Sequence, residues 1–283
     1  MKICYFNDGR LGVVEGETVY DVTDVLENLP QHRPPFPRHD VVIANLATLL
    51  PKMRDAAADA PRFAVSDVRF DPPVGNPGKV LGAPVNYLAH QQEAEADPST
   101  FAEAQVRRVA EIGLFLKATS SVVGVSEGVT VSFPERRTDH EVELAVVIGK
   151  QGRHIAEADA LDHVAGYTIG LDMTVRGPEE RSLRKSVDCY TVLGPWMVTA
   201  DEFGDPSNVA LSLEVNGEAR QDSRTSELLM TVPGLIAFAS RFYTLEPGDV
   251  IMTGTPDGVG PVVPGDVMQV AIERVGRFDV PVK

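Results

Sequence analysis

The run DHEVELAVVIG, residues 139–149, places Glu141 and Glu143 two positions apart at the head of an apolar stretch. Extended backbone turns successive side chains to opposite faces, so these two glutamates share a face with Ala145 and Val147, while Val142, Leu144, Val146 and Ile148 share the other. Both faces are apolar, so the strand is expected to be covered on both sides and to draw its carboxylates inward. Two like charges buried side by side are costly without a compensating cation. The spacing alone also fits a strand that begins at the surface with two solvated glutamates. Asp172 favours the buried arrangement, because it is an isolated acid inside YTIGLDM, a second strand-like stretch where packing alone gives an acid no place. Three carboxylates on buried strands form a hard, oxygen-only set suited to Mg2+ or Mn2+, with Ca2+ as a stand-in in a crystal, whereas Zn2+ would bring His or Cys.

A second group lies in NYLAHQQE, residues 86–93, where His90 and Glu93 are three apart and share a face if the segment is helical. A carboxylate that orients an imidazole and stabilises its charged form makes the histidine a base toward water; a solvated helix pair has the same pattern. Lys185, in RKSVD just before the apolar VLGPW, can reach back into a cleft or sit on the surface. The glycine-rich GTPDGVG, residues 254–260, follows the apolar VIM. Such a loop can present backbone amides and the Thr255 hydroxyl to a carboxylate, or be an ordinary turn.

The elements that must position these groups are mostly strands. Lys79 to Leu81, Glu141 to Ile148, Ala165 to Met173, Met197 to Thr199, Ala210 to Val215, Val250 to Met252 and Val267 to Ile272 are rich in Val and Ile and bounded by turn residues. Helical patterns cover Asp97 to Ile112, Glu157 to Val164 and Val232 to Phe242. Strands without regular alternation with helices predict a β-rich α+β fold. The opening MKICYFNDGRLGVVEGETVYDVTDVL reads as short strands around turns, followed by a helix near Val41 to Leu50. The segment FDPPVGNPGK holds three prolines and two glycines in ten residues, which predicts a boundary between a small N-terminal domain over 1–75 and a second, larger domain over 76–283.

With 283 residues, 43% of them hydrophobic, the chain can bury a full core. A net charge of −15 excludes nucleic acid as an expected partner, because the phosphate backbone would be repelled. The two cysteines suggest neither a disulfide framework nor a metal-binding pair. No apolar run approaches the ~20 residues of a membrane span, and the first residues carry no apolar signal core, so a cytoplasmic protein without a membrane partner is expected. An anionic substrate must therefore meet local positive charge, from a metal or from a few placed Lys and Arg.

Taken in order, VNYLAHQQE, LFLKATSSVVG, DHEVELAVVIGK, GYTIGLDMTVR, RKSVDCYTVLGPWMVT, VNGEARQ and LEPGDVIMTGTPDGVG resemble the fumarylacetoacetate hydrolase superfamily over Lys79 to Lys283. The resemblance implies that family's β-sandwich roll, usually as a homodimer, with a small N-terminal α/β domain appended. It implies metal ligands at Glu141, Glu143 and Asp172, an acid–base dyad at His90 and Glu93, an active-site lysine at Lys185, and substrate contacts from Tyr87, Arg176, Gly254 and Thr255. The segment between the dyad and Lys117 corresponds to the family's mobile lid. Two departures stand out: Glu179 occupies the place of a neutral amide, and Pro84 interrupts the approach to the dyad. The implied chemistry is the chelation of a small 2-oxo acid by the metal, stabilisation of an enolate, and attack by dyad-activated water that cleaves a C–C bond of an acylpyruvate, in aromatic catabolism. An oxaloacetate-type decarboxylase or keto-enol isomerase would share the enolate without the water, and a non-catalytic metal-binding protein would share only the fold.

Overall fold

The strand carrying Glu143 runs Val142–Ile148, one residue shorter than expected so that Glu141 immediately precedes it, and every residue in it is buried because its two apolar faces enter different clusters. Val142, Leu144, Val146 and Ile148 pack with Leu211, Leu213, Val270 and Ile272. Ala145 and Val147 pack with Ile43, Leu49 and Met53. The first partners belong to a four-stranded sheet and the second to the helices Val41–Ala44 and Leu46–Ala57, so the central sheet is covered by strands on one side and helices on the other. These relationships come from a computed structural model that describes residues 1–96 and 107–283.

Among the described residues there are three sheets. The largest runs Arg62–Ala64, Thr18–Asp21, Arg10–Glu15, Lys2–Phe6, Thr191–Thr199, Val164–Asp172, Val142–Ile148, Val250–Met252, Val80–Gly82 and Phe115–Lys117, with Phe70–Asp71 and Val122–Gly124 paired off this path. Lys2–Phe6 pairs with Thr191–Thr199, so the N-terminal strands extend the same sheet that carries the acidic residues. The four-stranded sheet is Glu218–Arg224, Ala210–Val215, Val267–Ile272 and Gly276–Pro281. A small third sheet joins Thr174–Val175, Thr138–His140 and Gly260–Pro261. This is the β-rich α+β architecture expected from the strand patterns.

Ala210–Val215, Val250–Met252, Val267–Ile272 and the helix Val232–Phe242 have the bounds read from their periodicity. The expected helix over 157–164 is a 3-10 helix, Glu157–His163. Of the helix expected over 97–112, residues 97–106 lie outside the described residues and Val109–Ile112 forms a single turn. Thr191–Thr199 is much longer than the 197–199 expected, since Gly194 and Pro195 do not end it; its pairing with Val164–Asp172 shifts register between Tyr167 and Ile169 instead. Cys4 and Cys189 are free and buried. No helix among the described residues is long and apolar enough to cross a membrane.

Candidate active site

Register brings the three acids together. Val142 pairs with Leu171 and Glu143 with Gly170, while the Asp172 amide donates to the Glu141 carbonyl across the same two strands at 2.9 Å. Residues opposite one another share a face, as do residues two apart, so Glu141, Glu143 and Asp172 project together. One carboxylate oxygen from each lies within 4.8 Å of the others, and the three residues are only 5%, 2% and 1% exposed.

Cations surround this centre unevenly. The Lys185 ammonium, at the end of the short helix Arg181–Lys185, donates to Glu141 at 2.7 Å, Asp172 at 2.8 Å and the Thr174 hydroxyl at 2.7 Å. Lys117, fully buried at the end of its edge strand, donates to the other Asp172 oxygen and to the Tyr190 carbonyl. Arg176 reaches Asp139 at 2.7 Å and Glu141 at 3.3 Å. Glu143 receives the Gly254 backbone amide at 2.7 Å. Burial alone would raise the Glu141 carboxyl, but Lys185 and Arg176 outweigh it and hold it at about 2. Burial pushes the Glu143 carboxyl well above its usual range, and Asp172 and Glu141 push the same way. Burial likewise lowers the Lys117 ammonium, against the pull of Asp172. A hard divalent ion fits such a centre: the donors are all carboxylate oxygens, and Glu143 is short of positive charge.

His90 of the dyad faces the same cleft. The loop after Val80–Gly82 holds Val85 at φ 43°, a left-handed conformation that a β-branched residue adopts only when its surroundings dictate it. Asn86 supplies that constraint, donating to the carbonyls of Met230 at 2.9 Å and Thr253 at 2.8 Å and accepting the Met230 amide at 2.8 Å. The helix Leu88–Ala96 then presents His90, whose Nδ1 lies 3.0 Å from Glu93 Oε2. Glu93 Oε1 accepts the Gly258 amide at 2.9 Å, which ties the dyad to the glycine-rich loop. His90, Glu141, Glu143, Asp172, Arg176, Lys185 and Thr255 all line one cleft, with Arg181 and Arg184 beside them.

Some expected site residues lie differently. Tyr87 is fully buried, its hydroxyl has no hydrogen-bond partner among the described residues, and it is not among the residues lining the cleft. The Gly254 amide, expected to face a substrate carboxylate, is taken by Glu143. Glu179 is turned away onto Arg136, with contacts of 3.2 and 2.7 Å, and this pairing holds its carboxyl below the usual range. Lys117 and Gln221 were not singled out as site residues from sequence. A lysine at a strand end is ordinarily exposed, and the strand GEARQDSR has no apolar face to show that Gln221 turns inward. The only signals were their positions inside LFLKATSSVVG and VNGEARQ.

The chain is similar to known proteins over much or all of its length. Residues 79–283 match the family described as Fumarylacetoacetate (FAA) hydrolase C-terminal. The maleylpyruvate hydrolase of Aquipseudomonas alcaligenes is 52% identical over 285 residues, spanning 100% of this chain and 99% of that protein. A mitochondrial oxaloacetate tautomerase of Homo sapiens is 40% identical over 243 residues, 81% of this chain and 74% of its own. The crystal structure of the maleylpyruvate hydrolase from Sphingobium sp. SYK-6 in complex with manganese(II) and pyruvate superposes with a TM-score of 0.84 at 37% identity, covering 100% of this chain and 98% of that one.

Proposed function

The chain belongs to the fumarylacetoacetate hydrolase family, and from that premise we propose that it hydrolyses a C–C bond in an acylpyruvate-type 2,4-dioxo acid, with maleylpyruvate the leading candidate. The observation that carries this reading is the placement of a carboxylate-oriented histidine and a buried three-carboxylate centre on one cleft. Glu141, Glu143 and Asp172 would hold Mg2+ or Mn2+, which supplies Lewis-acid polarisation of a 2-oxo acid when bound.

The remaining steps belong to the chain's own groups. Arg176 and the Thr255 hydroxyl take the 2-oxo acid's carboxylate, and the cationic lining around Arg181 suits a substrate whose acyl arm carries a second carboxylate. Glu93 faces His90 Nδ1, so Nε2 takes the proton from a water directed at the distal carbonyl, and Glu93 stabilises the imidazolium. The C–C bond then breaks, releasing a carboxylic acid and the enolate of pyruvate. Lys185 lies beside the developing negative charge and returns a proton to that carbon. In this reading residues 1–75 form a small domain appended to the catalytic residues 76–283, and the protein works as a cytoplasmic homodimer.

A second reading, keto-enol tautomerisation, is favoured by the likeness to the oxaloacetate tautomerase. It needs no nucleophilic water but still needs a base for its C–H proton, so His90→Ala tests the hydrolytic role and the products separate the two readings. Assayed with Mn2+ on an acylpyruvate, this variant is expected to lose hydrolysis by about 10²- to 10⁴-fold, whereas a parent protein that yields a tautomer and no pyruvate would favour the second reading. Oxalate titration should report an intact centre. Near-normal hydrolysis by the variant would remove the dyad from the mechanism.

A further inference from the structure

Gln221 is 2% exposed on a strand, Glu218–Arg224, whose flanking residues Arg220 and Asp222 face solvent. Its Oε1 accepts the Val142 amide at 3.0 Å and lies 3.2 Å from His140 Nδ1. Its Nε2 donates to Thr255 Oγ1 at 2.8 Å and to the Pro256 carbonyl at 3.0 Å. A backbone N–H can only donate and a backbone carbonyl can only accept, so the two ends of this amide cannot be exchanged. It follows that Thr255 Oγ1 is an acceptor toward Gln221, and its own proton must be given elsewhere. Thr255 is 3% exposed and lines the cleft that holds the three carboxylates.

We propose that Gln221 is a positioning residue that commits the Thr255 hydroxyl to donate into the cleft, toward an anionic carboxylate oxygen of the substrate. This rests on the reading of Thr255 as a substrate contact and deepens it, because it makes the site selective for an acceptor at that point. The same amide pins the loop that reaches Glu93. Gly258, at φ 85°, lies so close to the Gln221 strand that a Cβ there would stand 1.8 Å from the Arg220 carbonyl, and its amide donates to Glu93. Gln221 thereby couples the strand Glu218–Arg224 to both the substrate contact and the dyad, without touching substrate itself.

The test is a double-mutant cycle on the Mn2+-loaded protein with Gln221→Met, Thr255→Val and the pair, read by oxalate affinity, Mn2+ affinity and acylpyruvate kinetics. Each single variant should weaken oxalate about tenfold, as expected for losing one hydrogen bond to a charged group, and raise KM more than it lowers kcat. The pair should be no worse than Thr255→Val alone, with Mn2+ affinity unchanged and Thr255→Ser close to wild type. Additive losses, or wild-type oxalate affinity in Gln221→Met, would overturn the proposal. If Gln221→Met does not fold, Gln221→Glu keeps the shape, and its KM relative to wild type should rise from pH 6 to pH 9 as the carboxyl loses the proton with which it could stand in for the amide. A flat ratio near one would overturn the proposal equally. Because oxalate binding does not depend on turnover, a protein that shows the coupling but no hydrolysis would contradict the proposed function and leave this inference standing.

Discussion

Glu141 and Glu143 lie two positions apart on one face and experience opposite fields. Glu141 is held ionised by Lys185 and Arg176, whereas burial and two neighbouring carboxylates favour the protonated form of Glu143. A divalent ion binds the ionised form that burial disfavours at Glu143, so protons compete with the ion on the acid side and affinity rises with pH. Calorimetry of Mn2+ binding in buffers of different ionisation enthalpy should detect proton release; binding without it would contradict the assignment. In the Glu143→Ala variant, added Mn2+ should no longer raise the melting temperature, a stabilisation worth about 2.7 kcal/mol at a hundredfold excess over Kd in the parent. At this scale the three acids were legible because a period of two places charges among apolar neighbours. The partners of Glu179 and Gln221 were not, because a side chain's choice between Arg136, Thr255 and solvent is settled by residues distant in sequence.

The elements divide along similar lines. Strands buried on one or both faces announced themselves, and the Val232–Phe242 helix did so through its apolar stripe. Glu218–Arg224 did not, since four of its seven residues are exposed. The bend carrying Val85 was visible only as an added proline, although it sets the start of the helix that bears His90. Asn86 holds that bend, and Asn86→Ala would remove the partner of the part-buried Met230 amide and carbonyl and of the buried Thr253 carbonyl. The expected result is a loss of about 3 kcal/mol in denaturant unfolding, with reduced turnover as His90 loses its anchor. An unchanged midpoint would show that the bend is held by other contacts.

At the scale of the molecule, the composition break near residue 75 was clear, but the continuity of the sheet across it was not, because strand pairing over some 190 residues leaves no local trace. Lys2–Phe6 covers the Met197–Val198 end of the edge of Thr191–Thr199, and Ile43, Leu49 and Met53 cover Ala145 and Val147. A chain of residues 76–283 alone should expose that edge and that apolar face and aggregate on purification; a soluble fragment with a cooperative melt would contradict this. A net charge of −15 repels anions in general, so attraction of an anion falls to the cleft, which Lys185, Arg176, Arg181 and Arg184 line. The most direct test of the account is the product stoichiometry of the Mn2+-loaded protein incubated with maleylpyruvate. The account predicts one pyruvate and one dicarboxylic acid for each substrate consumed; a tautomer of unchanged mass, or release of CO2 in place of pyruvate, would contradict it.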